Sequence, residues 1–251
     1  MTRPRSIRVL LVMLGLVAWA SVASAQPPYI LLNEYNVNPA AAEGFRTAQK
    51  AMTAEITKRG TPWRAVLHTH FGPRLWVTLR PLNKHAELDA ESPMSPMATT
   101  AEVGKTITGM SAVLLHLNPE MTFAGPPDPK PTLFVVSMIQ VDLDKQPQYV
   151  AFMREQYLPA MKKGGATHFY TYHADRGGKQ STFFHIRPIP NMASLDQPDP
   201  LERALGADGR AKLRATRATL YRFEDQSVDW HFEPDQSAGT PFAPIPAAGM
   251  R

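Results

Sequence analysis

Histidine and arginine side chains recur on segments that alternate between apolar and polar residues. His68 and His70 are two residues apart, which places both side chains on one face of a β-strand, and Thr171 and His173 repeat this spacing. An imidazole can exchange a proton or bind a metal ion near neutral pH. No acidic residue or third histidine lies nearby in the sequence, so the pair predicts a polar strand face and no metal site.

A second polar set lies on the strand that follows each of these segments. Arg80 corresponds to Arg187, and Thr78 to His185, at a separation of 107 residues. A guanidinium group offers a fixed fork of donors that suits carboxylate-like groups. We therefore expect a pocket for an anion or a carbonyl group. Its expected lining is His70, Arg80, His173 and Arg187, with His68 and His185 beside them. The alternative is a structural network in which each arginine stabilises the rim of the barrel through its hydrogen bonds.

The two polar sets belong to a sequence that is repeated. Residues 76–89 align with residues 183–196 at a constant offset of 107, and five of the fourteen positions are identical. Residues 67–70 align with residues 170–173 at an offset of 103, and the four-residue difference lies in the intervening turn. A structural repeat tolerates an insertion that is confined to a turn. The sequence therefore predicts two copies of one unit.

Each copy has the predicted order strand, helix, strand, strand, helix, strand. The first helix of each copy has one apolar face, formed by Phe45, Ala48, Met52 and Ile56 and, 105 residues on, by Val150, Met153, Tyr157 and Met161. We place the second helices at residues 99–112 and 208–223, and expect Arg210, Arg214 and Arg217 to form a solvated face. This order is that of the split βαβ, or ferredoxin-like, unit.

The domain organisation follows from the repeat and from the composition of the ends. We predict a signal peptide over residues 1–25, unit one over 26–125, a proline-rich linker over 126–131, unit two over 132–233 and a disordered tail over 234–251. The signal is indicated by Arg3, Arg5 and Arg8, an apolar run over 9–22 and a small-residue cleavage site ending at Ala25. The expected location is periplasmic or secreted, with no membrane span in the mature protein.

The sheet of each unit has two faces, and the sequence indicates what each should contact. The face that packs on the unit's own helices should be apolar, and Leu67, Val77, Leu79, Tyr170 and Phe184 can supply it. The histidines and arginines would then lie on the opposite face, where the two units meet. A slip of one residue in strand register would reverse this assignment.

With these elements in place, the chain resembles the dimeric α+β barrel superfamily, which includes antibiotic-biosynthesis monooxygenases and EthD-like, NIPSNAP-like and chlorite dismutase proteins. The resemblance covers residues 28–233 and rests on element order, the repeat and the hairpin pattern. It implies an α+β fold in which two tandem ferredoxin-like (βαββαβ) units form an intramolecular dimeric α/β barrel. It also implies a ligand site in the barrel or between the sheet and the helices.

Three further residues are similar to those of small haem-degrading monooxygenases in this superfamily. The resemblance gives His85 the role of iron ligand, Trp76 that of distorting the haem, and Asn33 that of contacting the distal oxygen. The distance in sequence from Asn33 to Trp76 is shorter than the family pattern, and unit two has Phe183 and Met192 at the equivalents of Trp76 and His85. The alternative is a core tryptophan and a surface histidine. No cofactor is assigned, and haem is the alternative.

Composition narrows the classes of function. The chain has no cysteine, which excludes disulfides, thiolate metal sites and a cysteine nucleophile. Without residues 1–25 it has 24 basic and 22 acidic residues and no basic run that would indicate nucleic-acid binding. We expect a small-molecule-binding protein, as a monomeric pseudo-dimer or a homodimer. The alternatives are a monooxygenase-type enzyme, either cofactor-independent or haem-dependent, and a non-catalytic interaction module of the envelope.

Overall fold

The computed structural model describes residues 26–70, 75–89, 104–125 and 131–243. Its strands are β1 (Tyr29–Val37), β2 (Ala65–Thr69), β3 (Leu75–Leu82), β4 (Ile107–Leu117), β5 (Phe123–Ala124), β6 (Leu133–Gln140), β7 (His168–Arg176), β8 (Thr182–Ile189) and β9 (Phe223–Phe232). Its helices are α1 (Ala42–Lys58), α2 (Gln146–Phe152), α3 (Leu158–Lys163) and α4 (Pro200–Ala218). A π-helical segment, Met153–Tyr157, joins α2 to α3.

Eight of the strands form a closed antiparallel barrel, as expected for an α+β fold of this kind. The order around the barrel is β4, β1, β3, β2, β9, β6, β8 and β7, and β7 pairs with β4 to close it. The short strand β5 pairs separately with β7. Closure pairs the strands that would otherwise be sheet edges. In the part of the chain that the structure describes, no helix is long and apolar enough to cross a membrane.

The two halves of the chain contribute four neighbouring strands each, in the same order. The N-terminal half supplies β4-β1-β3-β2, and the C-terminal half supplies β9-β6-β8-β7. The halves meet at two strand pairings, β2 with β9 and β4 with β7, which we call the seams. At each seam two histidines lie directly opposite each other, His68 with His231 and His116 with His173.

The interior of the barrel is filled by apolar side chains from all eight strands. They alternate along each strand, as Ile30 and Leu32 do on β1 and Tyr170, Tyr172 and Ala174 on β7. Residues of eight strands can meet only inside the ring, which identifies this cluster as the barrel core. Full burial of each large apolar side chain contributes about 1.5–3 kcal/mol relative to exposure.

Helices cover the outer face of the barrel. On the N-terminal half, α1 buries Phe45 and Met52 against Tyr35, Val66 and Trp76. On the C-terminal half, α2, α3 and α4 pack on β6, β7 and β8 through a larger cluster that includes Tyr149, Met153, Tyr157, Met161, Phe169, Phe183 and Leu201. The apolar faces predicted for the two first helices are therefore the ones that the structure buries or half-buries.

Residues 234–243 pack on the barrel, so the expectation of a disordered tail from Pro234 does not hold for them. The backbone of Ala238 exchanges two hydrogen bonds with that of Arg64, and Phe242 is 2% exposed. The reason is that the aromatic side chain of Phe242 packs into the barrel core. The remainder of the tail, the linker over 126–130, the signal segment and the turn at 71–74 lie outside the described residues.

Two predicted helices have different bounds in the structure. Residues 107–112, placed in a helix, form the first half of β4, because they pair with β1 from Ile107↔Val37 to Ala112↔Asn33. The second helix of the C-terminal half is Pro200–Ala218 and is interrupted at Gly206, whose φ of 70° and ψ of 172° are not helical. The start predicted at residue 208 fits the segment after this interruption, the end predicted at 223 is too late, and a further segment precedes the predicted start. It begins earlier because Asp199 Oδ1 accepts a hydrogen bond from the Glu202 N–H at 2.8 Å, and Pro200 suits the first helical position.

Candidate functional site

The predicted histidines and arginines lie on the outer face of the barrel, which reverses the faces expected from the sequence. Leu67, Val77 and Phe184, expected under the helices, point into the barrel core. Their strand neighbours His68, Arg80 and His185 therefore point outward. The physical reason is that a closed barrel excludes water more completely than a face covered by separate helices. The polar side chains therefore lie on the helix-covered face.

A cavity of about 340 Å³ lies between the outer face of β6, β7 and β8 and the helices α3 and α4. Among the predicted residues it brings together His185 and Arg187, both on β8. Its other polar lining residues are Ser137, Asp199, Arg214 and Arg217, and its aromatic and apolar lining includes Tyr157, Met161, Phe169, Leu201 and Tyr221. Volumes above about 300 Å³ are typical of small-molecule sites.

The ends of two helices form one wall of this cavity. A Cβ atom on Gly164, which follows α3, would lie 1.7 Å from the backbone oxygen of Pro200 at the start of α4. Only glycine permits this approach. The opposite wall carries Tyr157, the last residue of the π-helical segment. Such segments are frequent at functional sites.

Arginine dominates the charge of the cavity. Burial lowers the pKa of Arg187, and the neighbouring Tyr157 and Asp199 partly offset that effect. Arg217 is 9% exposed, with its guanidinium carbon 5.3 Å from the ring centre of Tyr157 and 5.6 Å from that of Tyr221. The solvated face predicted for the arginines of α4 is therefore wrong for Arg217, which the sequence analysis missed as a site residue.

One carboxylate, Asp199, lines the cavity among the described residues, and it is already engaged. Its Oδ2 is 2.7 Å from Arg210 Nε and 3.2 Å from Arg214 Nη2, and its Oδ1 caps α4. Three arginines, Arg187, Arg214 and Arg217, line the cavity beside this carboxylate. The cavity therefore favours negative charge.

His185 is held in a buried chain of hydrogen bonds and does not act as a free base. Thr171 Oγ1 donates to the Met121 carbonyl at 2.7 Å, so it accepts from His185 Nδ1 at 2.9 Å. His185 Nε2 then accepts from the Tyr149 hydroxyl at 2.7 Å. Burial, with a smaller effect from Arg217, lowers the pKa of His185 to about 3. The imidazole is therefore neutral at physiological pH and orients the floor of the cavity.

The other predicted ligand-binding residues lie elsewhere on the outer face. His68 and His70 are at the β2–β9 seam, where their rings stack on His231 with centroids 5.4 and 4.5 Å apart. His68 Nδ1 is 2.8 Å from Glu233 Oε1. His173 is at the β4–β7 seam, 5.0 Å from the ring of His116. The six predicted residues therefore do not form one pocket.

Arg80 lies on the N-terminal half, near a buried arginine that the sequence analysis did not single out. Arg64 is 2% exposed, and its guanidinium donates to Gln49 Oε1 and, at 2.5 Å, to Thr53 Oγ1. Burial lowers the pKa of Arg64 to about 10, the nearby Tyr35 raises it, and the charge of Arg80 lowers it further. These contacts make the region around Arg64 a packed polar network under α1.

The residues that resemble haem-contacting side chains do not converge. Trp76 is 1% exposed and packs on Phe45, and Asn33 Nδ2 donates to Thr78 Oγ1 at 3.3 Å. His85 follows the far end of β3, where its Nε2 is 2.9 Å from Asp175 Oδ2. Six residue-to-residue steps along β3 separate Trp76 from Leu82, a distance of roughly 20 Å. The three side chains therefore do not fit a haem.

No other metal-binding arrangement is visible among the described residues. No three histidine, aspartate or glutamate side chains of residues 26–70, 75–89, 104–125 and 131–243 are arranged to hold a metal ion. His185, the histidine that lines the cavity, has hydrogen-bond partners at both ring nitrogens. It is therefore not placed as an axial ligand.

Comparisons with known proteins relate the chain to solved structures alone. No family model and no curated protein sequence matches it. A monooxygenase-like protein of Fusobacterium nucleatum superposes with a TM-score of 0.60 at 8% identity, covering 82% of this chain and 93% of its own. An anthrone oxidase-like protein has a TM-score of 0.60 at 10% identity, covering 86% and 94% of the two chains.

Chlorite dismutase from Candidatus Nitrospira defluvii is a third structural relative. Its TM-score is 0.52 at 12% identity, and the superposition covers 84% of this chain and 93% of that one. At such identities the likeness concerns the fold and not the activity. Monooxygenase-like and chlorite dismutase-like proteins belong to the dimeric α+β barrel superfamily. The protein therefore shares with these structures a mixed α+β fold, with an eight-stranded antiparallel barrel.

Proposed function

We propose that the protein binds a small organic anion with an aromatic ring in the cavity between β6–β8 and the helices α3 and α4. The observation that carries the proposal is the charge of the cavity. Three arginines line it, and its carboxylate, Asp199, is already paired with Arg210 and Arg214. A bound anion would lie beside Arg187, Arg214 and Arg217 and would be attracted by their positive charge.

The side chains around the arginines indicate what accompanies the negative charge. Rings of Tyr157, Phe169 and Tyr221 line the same cavity. Flat apolar walls with a few placed polar groups are typical of sites for small organic ligands. Arg187, on the strand floor, is positioned to bind a carboxylate or enolate oxygen, with the ring of the ligand against the aromatic walls.

The experiment compares two ligands of the same shape and different charge. We expect 1-naphthoate to bind more tightly than the neutral 1-naphthamide in isothermal titration calorimetry. A charge-assisted hydrogen bond contributes about 1.5–3 kcal/mol, which corresponds to a factor of roughly 10 to 150 in the dissociation constant. Equal affinities for the two ligands would refute the anion site.

A matched pair of variants locates the site. Arg187→Leu should remove the preference for naphthoate. Arg80→Leu is the control, because Arg80 occupies the equivalent position in the N-terminal half and does not line the cavity. If Arg187→Leu lowers stability and leaves binding intact, the arginine is a structural residue and the proposal fails.

A monooxygenase-type enzyme is the second candidate, favoured by the structural relatives. One relative is described as monooxygenase-like and another as anthrone oxidase-like. A deprotonated anthrone is a flat aromatic anion and would suit the same cavity. Its CH₂ group would be oxidised by O₂ to C=O, with one oxygen atom entering the product and the other leaving as water.

Oxygen uptake tests this second candidate with 1,8-dihydroxyanthrone as the probe. We expect uptake and quinone absorbance above the rate seen with heat-denatured protein, and a loss of that excess in Arg187→Leu. No excess for the wild-type protein, together with naphthoate binding, would leave the protein as a binding protein without this activity.

We also propose that the chain is a tandem repeat of two ferredoxin-like units that form one barrel within a single molecule, exported after cleavage following Ala25. The identical strand order of the two halves and the 107-residue offset between β3 and β8 support the repeat. Native mass spectrometry of protein purified from the periplasm tests both points. A monomer with the mass of residues 26–251 is expected, and a retained N-terminus or an obligate dimer would contradict the proposal.

A further inference from the structure

Phe242 occupies a cage of aromatic rings at one end of the barrel. This end is where β1, β2, β6 and β7 begin, as the antiparallel pairings require. The ring of Phe242 stacks on Tyr170 with centroids 4.7 Å apart and an angle of 14° between the planes. Trp63, Phe134 and Tyr172 surround it at centroid distances of 5.6, 5.5 and 6.3 Å.

The residue that fills this cage does not belong to the barrel strands. Phe242 lies ten residues after the end of β9, and no strand pairing of the barrel includes it. From Gly239 onward, the tail is held by the Phe242 ring and by a hydrogen bond from Trp63 Nε1 to the Ala243 carbonyl at 3.1 Å. Its departure would break no barrel hydrogen bond.

The backbone of Phe242 has a conformation that aromatic residues rarely adopt. Its φ is 59°, the one positive φ of a residue other than glycine in the described part of the chain. Conformational strain of this kind persists where surrounding contacts maintain it, and it is concentrated at clamps and switch regions. Here the contacts that maintain it are those of the ring within the cage.

The approach of the tail to the cage is specified by a glycine. Gly239 has a φ of 67°, and a Cβ atom there would lie 2.5 Å from the Pro62 carbonyl oxygen. The turn therefore directs the next residues over the barrel end. The same Cβ atom would lie 2.7 Å from Trp63 Cβ, so a substitution at this position would push the tail away from Trp63 and weaken its closure over the cage.

We infer that the aromatic cage is a second binding site, for a flat uncharged aromatic molecule, which the chain's own Phe242 occupies as a displaceable plug. The rings that form the cage carry no charged group, which sets the class of ligand apart from the anion expected in the outer cavity. A ligand that stacks on Tyr170 would replace the Phe242 ring and release residues 239–243. This site is independent of the function proposed for the outer cavity.

Indole is the probe, with the full mature chain as the protein. Three variants separate a displaceable plug from a simple cavity: Phe242→Ala removes the plug, Gly239→Ala weakens its closure, and Phe45→Ala makes a cavity of the same size under α1. If only a fraction of the molecules has the site open, the apparent dissociation constant of the ligand is its intrinsic value divided by that fraction. We expect indole to bind Gly239→Ala and Phe242→Ala about tenfold more tightly than the wild type, equivalent to about 1.4 kcal/mol.

The indole N–H resonance of Trp63 reports the state of the tail, because this group hydrogen-bonds Ala243. We expect saturating indole to shift it in the wild-type protein to the position found in Phe242→Ala. The inference would be overturned if indole bound to Phe242→Ala and Phe45→Ala but not to the wild type or Gly239→Ala. In that case indole would only be filling cavities made by the substitutions. Binding to Gly239→Ala without a change at Trp63 would overturn it as well.

Discussion

Acidification should destabilise the protein through His185, and by an amount that the structure allows us to work out. The folded protein keeps this imidazole neutral, with a pKa of about 3, whereas the usual value is 6.5. As the pH falls below 6.5, His185 binds a proton in the unfolded chain and stays neutral in the folded chain. The contribution of His185 to stability is therefore complete above pH 6.5 and is lost as the pH falls toward 3.

The magnitude follows from the size of this difference. Each pKa unit corresponds to 1.36 kcal/mol, so the whole difference is worth about 5 kcal/mol. At pH 4.5, about two units below the unfolded value, about 3 kcal/mol of it should be lost. Folded domains have a free energy of unfolding of roughly 5–15 kcal/mol, so the loss would be a large part of the total.

Urea unfolding at pH 7.5 and pH 4.5, followed by tryptophan fluorescence, measures the effect in the wild type and in His185→Gln. Glutamine keeps hydrogen-bonding atoms near Tyr149 and Thr171 and does not titrate. Between pH 7.5 and pH 4.5, the free energy of unfolding of His185→Gln should fall by about 3 kcal/mol less than that of the wild type. Equal losses for His185→Gln and the wild type would refute the reasoning.

Three further predictions use the same unfolding assay. Arg64→Leu should lower the free energy of unfolding by about 2–3 kcal/mol, because Gln49 and Thr53, buried under α1, lose their hydrogen-bond donor. An unchanged free energy of unfolding would mean that water replaces the guanidinium as donor. Gly164→Ala should destabilise α3 against α4 and weaken naphthoate binding, whereas Gly44→Ala, with no atom within 4 Å of the added Cβ, should not. Burial and the charge of His116 both lower the pKa of His173. The contribution of His173 to the free energy of unfolding is therefore also lost as the pH falls below 6.5. His116→Phe should reduce that acid loss, because it removes the second cause of the lowered pKa. An acid loss equal to that of the wild type would show that the charge of His116 does not contribute.

The elements of the fold could be predicted wherever the sequence pattern is local. The apolar stripe from Phe45 to Ile56 was enough to place α1. Residues 107–112 were not predicted as a strand, because what makes them one is pairing with β1, some 75 residues away in the chain. The segment of α4 before Gly206 was not predicted, because its start depends on the cap at Asp199.

The candidate site was predicted in part. His185 and Arg187 were identified from their recurrence and lie at the cavity, and Arg217 and Tyr157 join them only because α4 and the π-helical segment cross the same strands. Alternation along a strand separates two faces but does not say which of them faces the barrel. Both faces are covered here, one by other strands and one by helices, so apolar residues are expected on each.

The sequence by itself determined the set of residues that share each strand face, because this depends on spacing along the chain. Only the tertiary structure decided that the polar face points toward the helices, that the six predicted residues lie in four separate regions, and that Phe242 enters the barrel. These features depend on which distant segments meet. Closing eight strands into a ring creates an interior that takes the most apolar side chains from every strand, and the remaining polar side chains then lie outside.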